Sequence, residues 1–253
     1  MKICLVAEGC YPYVVGGVSS WIHSLIQEFP QHEFIILSIV ADRSMRGKFV
    51  YELADHVTEV YELYLTDYDW STAQKNTRHR YRLNKTEREA LRSLLLNRDI
   101  AWDDIFLLFQ KKQVSVDALL MGEDFLEAVK DVYRENYVDA VFSDFLWTMR
   151  SIYLPLFLTL QYDVPQADLY HCVATGYAGV LGAMAKHRYH CGLMISEHGI
   201  YTREREEELV KAKWVQGIYK NIWIEQFRKM SFLAYQRGDL VNITSSRCMD
   251  STI

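Results

Sequence analysis

The 253-residue chain is half hydrophobic and 24% charged, with a formal net charge of -5. That balance suits a folded protein with a sizeable core and excludes the basic field on which non-specific nucleic-acid binding depends. Five scattered cysteines, Cys4, Cys10, Cys172, Cys191 and Cys248, with no C-x-x-C spacing, read as reduced thiols of a cytoplasmic protein rather than a disulfide framework or a zinc site.

The first segment reads MKICLVAEGCYPYVVGGVSSW. Ile3 to Ala7 is a short apolar run that predicts a buried central strand and is too brief for a signal-peptide core. Gly9 follows it, then a loop with Pro12 and the pair Gly16-Gly17. Val18, Trp21, Ile22, Leu25 and Ile26 then recur at helical spacing. A helix start presents unpaired N–H groups and partial positive charge, so an anion can sit there. The glycine pair therefore reads two ways, as a phosphate-approach loop or as a tight turn with positive φ. Neither G-x-G-x-x-G nor G-x-x-x-x-G-K-[ST] is present, which disfavours a nicotinamide dehydrogenase and a P-loop NTPase.

Glu33 to Val40 and Val57 to Leu63 predict a second and a third strand. From about Leu65 to Asn136 strand signals give way to helix. Thr86 and Glu89 have capping-box spacing, and Trp102 to Gln110 and Glu123 to Glu135 continue the pattern, the last with Phe125, Leu126, Val129, Val132 and Tyr133 on one face. The entry to this insertion is basic: Lys75, Arg78, His79, Arg80, Arg82, Lys85, Arg88 and Arg92 form either a solvated face or a grip for an anionic partner. Glu127 and Glu135 read as surface carboxylates.

Strand and helix then alternate again. Val138 to Phe142, Ala167 to Val173, Gly192 to Ser196 and Asp239 to Thr244 predict strands. Leu146 to Leu160, with a break expected before Pro155, and Ala178 to His187 predict helices, as does a long stretch from Glu204 to Arg237. Leu209, Val210, Trp214, Ile218, Ile222 and Phe227 are its candidate buried residues. Phe145 to Leu160 falls short of a membrane span. The expected architecture is a doubly wound, mostly parallel Rossmann-like α/β domain with a helical insertion.

Open parallel sheets collect ligands at the carboxyl ends of their strands. Three stretches bring polar groups to that edge: the Gly16-Gly17 loop, YHCVATGYAG from Tyr170 to Gly179, and SEHGIYTRERE from Ser196 to Glu206. His171 reads as a core histidine at a strand end or as a ligand. His198, followed by Gly199 and near Arg203 and Arg205, combines a titratable group with two phosphate-competent cations. No G-x-S-x-G or H-E-x-x-H occurs, so serine-hydrolase and zinc-hydrolase chemistry find no support.

The three stretches GGVSSW, YHCVATGYAG and SEHGIYTRERE, in that order, resemble the amino-terminal half of PelF-type glycosyltransferases, from Met1 to about Asp239. These are cytosolic retaining enzymes of the two-domain GT-B architecture, associated with Pel exopolysaccharide synthesis in biofilms. The resemblance implies a UDP-sugar as co-substrate with no further cofactor and no metal, a glycan acceptor, and cytoplasmic localisation. It puts Gly16 and Gly17 beneath the donor diphosphate and His198 beside the reacting centre. Arg203 and Arg205 would contact acceptor or phosphate, with His171, Thr175 and Glu197 lining the cleft. The family's carboxyl-terminal nucleotide-sugar domain has no counterpart in this sequence, and the stretch after Leu240 departs from the family pattern. The expectation is half of an enzyme, inactive alone; the other reading is a non-catalytic module docking through the basic insertion onto a membrane-bound polysaccharide synthesis complex.

Overall fold

A computed structural model describes residues 1–40, 43–65, 81–111, 114–215 and 217–243. The chain divides into two compact units, one formed by residues 1–67 and 163–253 and the other by residues 68–162.

The first unit is built on six parallel strands: β1 (Lys2–Glu8), β2 (Glu33–Val40), β3 (Val57–Tyr64), β4 (Leu169–Cys172), β5 (Gly192–Glu197) and β6 (Leu240–Ile243). Their order across the sheet is β3-β2-β1-β4-β5-β6, the Rossmann-like arrangement, with the order reversing between β1 and β4. The reversal has a physical cause. β1 is apolar on both faces, with residues 3–7 all buried, so it takes a central place between β2 and β4. Ile3, Leu5 and Ala7 point to one face, where Ile22 and Ile26 of helix α1 (Gly17–Glu28) cover them. The chain leaves β1 through Gly9, whose φ of +67° is left-handed and suits glycine.

The other helices of this unit are α7 (Tyr177–Tyr189), α8 (Tyr201–Lys211) and α9 (Ile218–Arg237). The first contacts β1, β4 and β5, and the last packs on α7 and α8. Expectation and structure part in the Glu204 to Arg237 stretch, which is two helices separated at Gly217, where φ is +55°. Of the residues expected to be buried there, Leu209 and Phe227 are, whereas Val210, Trp214 and Ile218 are exposed.

The second unit is helical, with α2 (Lys85–Leu96), α3 (Trp102–Gln110), α4 (Val116–Leu120), α5 (Glu123–Asn136) and α6 (Phe142–Gln161). Phe106, Phe125, Tyr153 and Phe157 are buried at its centre. Three sequence readings are corrected here. The capping box at the start of α2 is Asn84 with Glu87, not Thr86 with Glu89: Glu87 N–H donates to Asn84 Oδ1 at 3.0 Å, and Asn84 N–H to Glu87 Oε2 at 2.8 Å. Val138 to Phe142 forms no strand; Val138 and Val141 are exposed and Phe142 opens α6. Helix α6 also runs through Pro155 without a break. The helical unit therefore extends to residue 162, beyond the expected end at Asn136. No helix among the described residues is long and apolar enough to cross a membrane.

Candidate functional site

A cavity of about 310 Å³ opens at the carboxyl ends of β1, β4 and β5, where the strand order reverses. Its volume falls at the lower end of the ~300–1,000 Å³ usual for ligand pockets. Its wall comes from three chain segments: Glu8, Gly9, Cys10 and Val18 from the first, Val173 and Ala174 after β4, and His198, Gly199, Tyr201, Glu204 and Arg205 after β5.

Glu8, the last residue of β1, is fixed from two sides. Its Oε2 accepts the Ala178 N–H at 3.1 Å, in the first turn of α7, and its Oε1 accepts the Tyr201 hydroxyl at 2.9 Å. Burial pushes its carboxyl above the ordinary range; these two hydrogen bonds, the facing Arg205 and the Tyr177 N–H pull the other way without cancelling that. Tyr201 reaches Glu8 across Gly176, where an added Cβ would lie 2.1 Å from the Tyr201 ring. Glycine is required there by space. Burial and Glu8 raise the Tyr201 hydroxyl well above its usual pKa, so it stays protonated as a donor.

His198 leans on Trp21 of α1, with ring centroids 4.4 Å apart, and Trp21 meets the His171 ring edge-on at 5.6 Å. Burial lowers the pKa of both imidazoles; for His171, with the neighbouring His198 adding to it, the value falls to about 4. Both rings are therefore neutral near pH 7. His171 Nε2 is paired with Ser196 Oγ at 2.8 Å, whereas His198 Nε2 is sealed from solvent without a hydrogen-bond partner. A buried polar atom left unpaired costs about 1–3 kcal/mol, which stability alone does not explain at a cavity wall.

Beneath the wall lies Glu197, almost fully buried. It accepts Thr175 Oγ1 at 3.0 Å, the Tyr201 N–H at 2.8 Å and the Tyr235 hydroxyl. Thr175 also meets Ser231 Oγ of α9 at 2.8 Å. Glu197 and Thr175 thus tie β5, the loop after β4, α8 and α9 together, and neither lines the cavity.

The remaining sequence candidates separate. Arg205 lines the cavity, its guanidinium 5.5 Å from the Tyr201 ring centroid and 2.9 Å from Glu208. Arg203 does not; it is exposed and pairs with Glu207 at 3.3 Å. Gly16 has extended backbone (φ 179°) and Gly17 begins α1, so neither has the positive φ that the turn reading required. A Cβ on either would meet open space. Val18, the next residue, reaches the cavity, but the pair does not line it. Of the basic run, Lys75, Arg78, His79 and Arg80 lie outside the described residues. Lys85, Arg88 and Arg92 face Glu89, Asp124 and Asp131 on the surface of the helical unit, as a solvated face would. Glu127 and Glu135 pair with Lys130 and Arg98.

Sequence reasoning missed Glu8, Cys10, Tyr201 and Glu204. For Glu8 a signal exists: an acidic residue closing an apolar strand immediately before a glycine loop. Among the described residues no group of three or more His, Cys, Asp or Glu is placed to hold a metal ion.

Compared with known protein families, residues 1–248 match one described as "Domain of unknown function (DUF3492)", and the chain belongs to that family. No curated protein and no solved structure matches it.

Proposed function

We propose that this DUF3492 protein is the acceptor-side domain of a retaining, UDP-sugar-dependent glycosyltransferase of exopolysaccharide synthesis. The observation that carries the reading is convergence: the three stretches on which the resemblance to PelF-type enzymes rests all send residues to one cavity. Val18 comes from the first, Val173 and Ala174 from the second, and His198, Gly199, Tyr201, Glu204 and Arg205 from the third. The cavity lies at the strand-order reversal of a Rossmann-like sheet, where such folds hold ligands.

In this reading the donor diphosphate approaches the first turn of α1, where a Cβ on Gly16 or Gly17 would meet open space and the N–H groups of a helix start lack intrahelical partners. Transfer breaks the bond between the anomeric carbon and the diphosphate and forms one to an acceptor hydroxyl oxygen, whose proton leaves. The domain's work is positioning and electrostatic. His198, held neutral, contributes a hydrogen bond and not a charge beside the reacting centre.

The test joins the chain to a nucleotide-sugar-binding domain of a PelF-type enzyme and follows UDP release from UDP-glucose and UDP-N-acetylhexosamines with glycan acceptors. Transfer is expected in the joined protein and not with the chain alone. His198→Ala should lower it about a hundredfold, equivalent to ~3 kcal/mol, with the fold intact. Unchanged rates in that variant, or multiple turnovers by the unjoined chain, would refute this assignment.

A further inference from the structure

We infer that the cavity beside His198 receives uncharged hydroxyl groups of a glycan, oriented by the Glu8 carboxylate, and rejects acidic sugars and phosphate. Naming the ligand as the acceptor glycan rests on the glycosyltransferase reading. The selectivity itself rests on the wall's charges and hydrogen bonds.

Two carboxylates, Glu8 and Glu204, line the cavity, against one guanidinium, Arg205, among the described lining residues. Arg205 donates through Nη2 to Glu208 at 2.9 Å, while its Nε is buried without a hydrogen-bond partner. The imidazole in the wall is neutral at pH 7, because burial lowers its pKa. With Glu8 ionised, an anion entering this space would meet more negative than positive charge in a partly desolvated setting, where repulsion is stronger than in water.

A polyol meets the opposite situation. Glu8 accepts the Ala178 N–H at 3.1 Å on one oxygen and the Tyr201 hydroxyl at 2.9 Å on the other, and the Tyr177 N–H also faces the carboxylate. An ionised carboxylate has about four acceptor positions, so at least one remains for a hydroxyl donor. These two protein bonds come from different elements and fix the carboxylate plane, so the remaining directions are set before a ligand arrives. Neutral His198 borders the same space and adds no charge to it. Anion binding is then left to the first turn of α1, whose glycines do not line the cavity.

The experiment uses the intact chain, isotope-labelled, titrated by NMR with neutral tetrasaccharides (maltotetraose, cellotetraose and N,N′,N″,N‴-tetraacetylchitotetraose), with tetragalacturonate and with inorganic phosphate. At least one neutral glycan should shift the resonances of Gly9, Cys10 and Gly199, and should bind at least tenfold more tightly there than tetragalacturonate or phosphate. Glu8→Gln keeps an acceptor for the Ala178 N–H; it should weaken neutral binding about tenfold and shrink the preference over tetragalacturonate. Equal binding of acidic and neutral glycans by the unmutated chain overturns the inference even if the variant fails to fold. So does the absence of binding by every neutral glycan, or neutral binding that Glu8→Gln leaves unchanged. Neutral binding through Glu8, with no transfer in the joined protein, would instead sink the enzyme assignment and leave this inference standing.

Discussion

Trp21 sits between two imidazoles that differ in what they touch, and acid separates them by experiment. His171 is almost fully buried, bonded to Ser196, and has its pKa pushed down to about 4. An unfolded chain takes up that proton near 6.5, so between these values the unfolded state binds more protons and stability rises with pH. Acidification from pH 6.5 to 4 should therefore cost up to about 3 kcal/mol through this one group. His171→Gln should flatten that part of the profile, read as urea midpoints from pH 4 to 8; equal slopes in both proteins would show that another group carries it. Gly17 makes a second case. With open space around its missing Cβ and no positive φ, Gly17→Val should change stability by no more than about 0.5 kcal/mol. In the joined protein the same side chain should hold a diphosphate off the main chain, so UDP-sugar affinity falls; unaltered affinity would take the glycine pair out of the site.

Elements were legible where one period dominated. Glu33–Val40 is a strand over the residues expected, and Trp102–Gln110 a helix over those expected, because each is bounded by polar or turn residues and shows a single pattern. Errors came where local pattern and tertiary context disagreed. Val138 to Phe142 has strand-like residues but is too short to outweigh the start of α6, and the 20-residue apolar helix carries Pro155 inside it. The cavity was legible through its loops and not through its supports. Nothing local to Gly176 says that a tyrosine 25 residues later will lie against it, because that contact exists only once α7 and α8 are side by side. This close approach gives a sharp expectation. Gly176→Ala places a methyl 2.1 Å from a buried ring, and overpacking of this kind costs about 1–3 kcal/mol. It should also displace the Tyr201 hydroxyl from Glu8. Denaturant unfolding of the variant measures the cost, and full wild-type stability would mean that the ring has room to move.

At the scale of the whole molecule, the chain between β3 and β4 is a second compact unit, residues 68–162, and the sequence reading ended it too early. The cause was the supposed strand at Val138, which made the following helix look like the next crossover of the sheet. That helix, α6, instead supplies Phe145, Met149, Tyr153 and Phe157 to the helical unit's own core. Phe125 lies against Tyr153 and Phe157, Phe109 against Phe157, and the Tyr153 hydroxyl donates to Leu94 O at 3.1 Å. Even the buried Arg150 finds partners within the unit: its Nε donates to Leu120 O at 3.1 Å and its guanidinium lies 4.8 Å from the Trp147 ring centroid. A unit of this size with its own aromatic centre is within the range that folds alone. Residues 68–162 expressed by themselves should therefore give a helical far-UV spectrum, a near-UV signal from fixed aromatic rings, and one cooperative thermal transition. Helical content without a near-UV signal or a cooperative melt would mean that this core is completed by the rest of the chain, and that the two units are not independent in folding.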